Sequence, residues 1–171
     1  DVGNFETVNI SSDKSTDGTT ITANQMMTLT ATSATKVDIG GAADLTIDSI
    51  GGGAMTSLDA SDMTGALTAT LAGDKVAVSL GAKSSTINFG STLNNFDSVV
   101  GGAGIADLVT ATVTGLTATT GALTISNVET IDLTTSGNNT IDASGITGTG
   151  VTIAVTDNKQ TITGLNLATS I

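Results

Sequence analysis

The sequence predicts an all-β protein: a parallel β-helix or related β-solenoid of short Thr-rich coils, mostly right-handed, with an antiparallel β-sandwich as the alternative. Three observations predict it. Thr makes up about a fifth of the 171 residues, and Thr, Val and Ile favour strands because branching at Cβ suits a pleated surface. Apolar and polar residues alternate over stretches of four to six residues, punctuated by Gly, Asn, Asp and Ser. Two motifs recur along the chain, as expected of stacked coils.

The strands follow in order. Ile21–Asn24, Met27–Thr32, Leu45–Asp48, Leu67–Leu71 and Val76–Leu80 read as strands in the first half. Val109–Thr114, Leu123–Ile125, Val128–Leu133, Val151–Val155 and Thr161–Leu165 follow in the second. The best helix candidate, Asn24 to Leu29, is short and has no good stop signal. Residues 1–171 read as one solenoid module, with a looser first half, 1–100, and a repeat-matching second half, 101–171. A chain of this length suits one domain and can bury about 70% of its unfolded surface.

The first repeat aligns Asn4-Phe5-Glu6-Thr7-Val8-Asn9-Ile10 with Asn127-Val128-Glu129-Thr130-Ile131-Asp132-Leu133, and more loosely with Asn95-Phe96-Asp97-Ser98-Val99-Val100. The second aligns Leu58-Asp59-Ala60-Ser61-Asp62-Met63-Thr64-Gly65 with Ile141-Asp142-Ala143-Ser144-Gly145-Ile146-Thr147-Gly148. Small Ala and Ser suit a tight corner, with the apolar residue pointing inward. Each Asp has two readings, a cap on backbone N–H groups in a turn or a metal ligand. The repeats are unevenly spaced, so insertions between coils are expected.

Composition excludes most chemistry. The chain has no His, Cys, Arg, Trp, Tyr or Pro, five Lys and two Glu. It lacks an imidazole base near neutral pH, the usual ligands of zinc, copper or iron, and the partner of a Ser nucleophile. A carboxylate pair could still serve glycoside hydrolysis, but the only aromatic residues for a sugar wall are Phe5, Phe89 and Phe96. The expectation is that the chain is not an enzyme. A formal net charge of −11 repels nucleic acid and attracts cations. Without disulfides, a secreted chain needs another source of rigidity, and calcium is a candidate. No apolar run approaches the roughly 20 residues needed to cross a bilayer, so direct membrane insertion is not expected. No signal peptide is visible and the chain begins at Asp1, which reads as a segment of something longer.

The most chemical-looking stretch is Gly101-Gly102-Ala103-Gly104-Ile105-Ala106-Asp107-Leu108-Val109. It approaches the nonapeptide Gly-Gly-x-Gly-x-Asp-x-apolar-x of calcium-binding parallel β-rolls. Glycines let a turn present carbonyls at close range, and the Asp carboxylate completes a hard oxygen cage. Here the Asp falls one residue late and no copy follows directly. A plain turn and a calcium turn both fit. The candidate metal residues are Gly101, Gly102, Gly104 and Asp107, with Asp97 from the first repeat and Asp44 from the weaker Gly40-Gly41-Ala42-Ala43-Asp44-Leu45.

With these motifs quoted, the sequence resembles the S-layer proteins of Gram-negative bacteria that leave the cell by type I secretion. The shared features are the Gly-Gly-Ala-Gly…Asp-Leu-Val segment, a Thr-rich stretch, the Val-Glu-Thr-Ile-Asp-Leu strand and the Ile141–Gly150 segment. The resemblance implies an RTX-like, calcium-stabilised β-helical assembly domain on the cell surface, self-assembling with copies of itself into a lattice. It also implies lipopolysaccharide contact through an N-terminal region absent here. Three other functions compete. A stalk or passenger segment of a secreted adhesin shares this composition. An ice-binding solenoid is suggested by Thr-x-Thr pairs such as Thr68–Thr70 and Thr110–Thr112, but they are irregularly spaced in sequence. A polysaccharide lyase would lean on Arg or Lys beside clustered carboxylates, and Arg is missing.

Overall fold

A computed structural model describes residues 5–13, 23–114, 123–155 and 160–164. Its strands are β1 (Thr7–Ser11), β2 (Asn24–Thr30), β3 (Lys36–Gly40), β4 (Leu45–Gly51), β5 (Ser57–Asp59), β6 (Leu67–Leu71) and β7 (Ala77–Ser79). Then come β8 (Thr86–Asn88), β9 (Ser98–Val100), β10 (Leu108–Thr114), β11 (Thr124–Ser136), β12 (Asn139–Asp142), β13 (Ile146–Val155) and β14 (Gln160–Thr163). No helix occurs among the described residues.

The strands stack as a parallel β-solenoid of about six turns. One ladder runs β1-β3-β5-β7-β9-β11 and another β2-β4-β6-β8-β10-β11. β11 belongs to both: Thr124–Ser126 lies on β9, and Leu108–Thr114 pairs with Thr130–Ser136. β13 continues both ladders, and β12 and β14 form a third. Parallel pairing throughout replaces the antiparallel sandwich, whose hairpins would pair neighbours in sequence. Ser57 sits on Lys36, Ala77 on Ser57 and Ser98 on Ala77, steps of 21, 20 and 21 residues. The steps from Thr7 to Lys36 and from Ser98 to Thr124 are longer, at 29 and 26. These are the expected insertions between coils.

Strand alternation builds the core. Val8, Val37, Leu58, Val78, Val99, Ile125 and Ile146 lie over one another in the odd ladder. Met26, Ile47, Ala69, Ile87, Val109 and Ile131 do so in the even ladder. All but Val8 and Met26 are buried, and those two pack against the core. Like stacks on like because each inward position meets the same position one coil away.

The helix candidate is strand β2. Its apolar spacing of three, Met26 to Leu29, arises from an irregular rung that keeps both residues over Ile47 and Ile50, while Met27 is left out of the register and exposed. β4 has the same three-residue spacing, in register with β2, and it is against β6 that the register shifts, between Ile47 and Ile50. A bulge therefore imitates a helical period. β3, β5, β8, β9 and β12 were not among the expected strands, and β1 entered only as a repeat. Ile21 and Leu165 lie outside the described residues.

Candidate functional site: the glycine-rich corner and its carboxylates

The Gly101–Asp107 segment is the corner between β9 and β10, stacked on the equivalent corner after β7. Its glycines are required by proximity between coils. A Cβ at Gly102 would lie 1.6 Å from the carbonyl oxygen of Gly81, and one at Gly101 would lie 1.7 Å from that of Asn127. One at Gly104 would lie 2.7 Å from the Ser84 nitrogen. The Gly-Gly-x-Gly spacing thus lets neighbouring backbones touch.

Asp107 is fully buried. Its Oδ1 accepts from the Ser85 N–H at 2.7 Å and its Oδ2 from the Gly102 N–H at 3.2 Å. Its own N–H donates to Glu129 Oε2 at 2.8 Å, and its carbonyl accepts from the Thr130 N–H at 3.0 Å. Burial pushes the carboxyl up from its ordinary value, against the pull of the Ser85 and Gly102 N–H groups, and Glu129 adds repulsion.

The same corner repeats this arrangement in other coils. Asp44, Ser85, Asp107 and Glu129 each immediately precede or open an even-ladder rung. Asp44 Oδ1 accepts from the Ala66 N–H at 2.8 Å and from Lys83 Nζ at 2.9 Å. Those two bonds, the backbone one first, hold its carboxyl below the usual value. Ser85 Oγ accepts from the Leu67 N–H at 3.1 Å. Side-chain oxygens along this corner therefore cap the N–H groups of the adjacent coil.

Asp97 is at a different corner, just before β9. It is 1% exposed, with Oδ1 accepting from the Val76 N–H and Oδ2 from the Asn94 N–H, both at 2.7 Å. Burial raises its pKa as well. The candidate metal residues are thus not brought together. Asp44 and Asp107 share a corner three rungs apart, on the order of 14 Å at the usual strand spacing, and Asp97 lies on another. Among the described residues no group of three or more carboxylates is placed to hold a metal ion. At the Gly101 corner the carbonyls of Gly101 and Gly102 both accept from Asn127 Nδ2, and both Asp107 oxygens are used. This donor set, as folded, does not fit a calcium ion.

Ser85 and Glu129 were missed as partners of Asp107, and Asn127 as the partner of the Gly101 and Gly102 carbonyls. Asn127 and Glu129 stand in the first repeat, so the signal was present without its meaning. The Asp-Ala-Ser copies form one turn twice. Asp59 Oδ1 accepts from the Ser61 N–H at 3.2 Å and hydroxyl at 2.7 Å, and Asp142 Oδ1 from the Ser144 N–H at 3.0 Å. In each copy an apolar N–H, of Met63 or Ile146, donates to the Ala carbonyl at 3.0 Å. Outside these corners, Lys36 pairs with Asp38 at 2.7 Å and Asp59 at 3.4 Å. It borders an open groove of about 500 Å³ that also includes Asp13 and Asp62.

Fold and corners together define a parallel β-solenoid whose coils are locked by side-chain caps, an architecture consistent with an RTX-like β-helix. The chain matches no family model, no curated protein and no solved structure.

Proposed function

We propose that this chain is a structural module of a bacterial S-layer, an extracellular coat on the cell surface, in which copies of the chain assemble into a lattice or filament. The observation that supports this reading best is the pattern of free edges. Among the described residues β1 and β2 are paired on one side only, and so are β13 and β14 at the other end. A strand edge offers a row of N–H and C=O groups to another chain, and a second copy presenting its opposite end continues both ladders. The module is non-catalytic in this reading, and its buried carboxylates serve as backbone caps.

Copies carrying a net charge of −11 repel one another. Calcium between copies offsets that repulsion, with its ligands supplied by exposed carboxylates of two chains rather than by the Gly101 corner. The alternative is an adhesin stalk, favoured by the continuous parallel stacking from β1 through β11 to β13. Sedimentation over a range of protein concentrations separates the two. The lattice reading expects larger species as concentration rises in calcium and their return to monomer in EGTA. A monomer throughout supports the stalk.

A further inference from the structure

We propose that the Gly101–Asp107 corner is locked without metal, the side-chain amide of Asn127 standing where a calcium turn of this sequence would hold its cation. Asn127 Nδ2 donates to the Gly101 carbonyl at 3.0 Å and also to the Gly102 carbonyl. These are the oxygens that a glycine-rich turn aims at calcium. The orientation of the amide follows from its partners, because turning it over would set its own oxygen against two carbonyl oxygens.

The backbone holds the amide there. Asn127 has φ of 54°, a left-handed conformation that Asn tolerates better than most side chains. It lets β11 pass the corner between two buried residues, Ile125 and Val128. The Gly101 N–H donates to the Ser126 carbonyl at 2.8 Å, so the glycine loop is held by main chain and amide together. The remaining oxygens of the expected cage, those of Asp107, accept from Ser85 and Gly102 N–H groups on two coils. The carbonyls of Gly101 and Gly102 and both carboxylate oxygens of Asp107 therefore each have a protein donor, and the extra residue before Asp107 in the motif accompanies this change of partner. The inference does not rest on the assembly reading, since calcium between copies would bind elsewhere.

The test is thermal unfolding of the full chain in EGTA and in calcium, at a dilution where sedimentation gives a monomer. The native chain is expected to melt at the same temperature in both. Asn127→Gly keeps the left-handed backbone and removes the amide, and a fall in Tm on the order of 5 °C is expected. Asn127→Asp sets a carboxylate against two carbonyls. It is expected to melt lower still in EGTA, or to be unfolded by circular dichroism, and to recover in calcium. Three results overturn the proposal: a native Tm that calcium raises and Asp107→Asn makes insensitive; Asn127→Gly melting like the native chain; or Asn127→Asp gaining nothing from calcium.

Discussion

At the residue scale, the corners decide what each polar group does. Gly102 is the tightest case. Gly102→Ala forces a Cβ into the Gly81 carbonyl and is expected to cost on the order of 3 kcal/mol by urea unfolding. An alanine at Gly53, where a Cβ meets nothing within 4 Å, is the control and should stay near the native value. The carboxylates give a pH dependence of opposite signs. Burial raises the folded pKa of Asp97 and Asp107. Their contribution is therefore full below the unfolded value of 3.8 and is lost as pH rises through the raised folded value. Asp44 is lowered mainly by the Ala66 N–H, and Asp59 and Asp142 mainly by the Ser61 and Ser144 hydroxyls. Their contribution is full above 3.8 and is lost as pH falls through their lowered values. Urea midpoints should therefore peak near the ordinary Asp value and decline towards neutrality, with a shallower decline in Asp107→Asn. An equal decline in that variant would remove Asp107 from the account. What was legible at this scale was local. The Asp-Ala-Ser turns close within two residues and could be read as caps. Asp107 could not, because its partner Ser85 lies 22 residues away and only coil stacking brings it near.

At the scale of the element, detection followed strand length. Most strands of five residues or more, such as β6 (Leu67–Leu71), were found where expected, whereas β3 (Lys36–Gly40) alternates over five residues and was still missed. β5, β8 and β9 have three residues each and a single inward side chain, so there is no alternation to see. β2 was blurred in another way: its inward residues Met26 and Leu29 lie three apart, a spacing that made it the best helix candidate although Met27–Thr32 already read as a strand. That assignment makes a prediction. Leu29 is buried in the rung and Met27 is 75% exposed. Leu29→Asp is expected to cost several kcal/mol, or about 3 to 5, through an unpaired buried charge. Met27→Asp is expected to stay within about 0.5 kcal/mol. Chemical denaturation of both variants checks this, and equal losses would return the segment to a different packing.

At the scale of the whole molecule, the coil length of about 21 residues was hidden for two physical reasons. Insertions lengthen two of the steps. The sequence repeats also mark corners rather than coils: Glu6 and Asp97 precede odd-ladder strands, whereas Glu129 precedes the even-ladder rung at Thr130. A corner followed by a strand has one chemistry wherever it falls, so the same words recur at different angles of the coil. The solenoid class was still readable, because short β-branched strands between small corner residues recur along the chain, as stacked coils do. What the Gly101 turn holds was not readable from its own residues, because the carbonyls of Gly101 and Gly102 meet the amide of Asn127, 25 to 26 residues away. The proposed self-assembly belongs to this scale too, since it rests on ladders that are open at both ends among the described residues and on a net charge of −11. The measurement that tests it most directly is electron microscopy of the purified protein with calcium and with EGTA. The account predicts an ordered sheet or fibre in calcium that disperses in EGTA. Single particles of monomer size in both would contradict it.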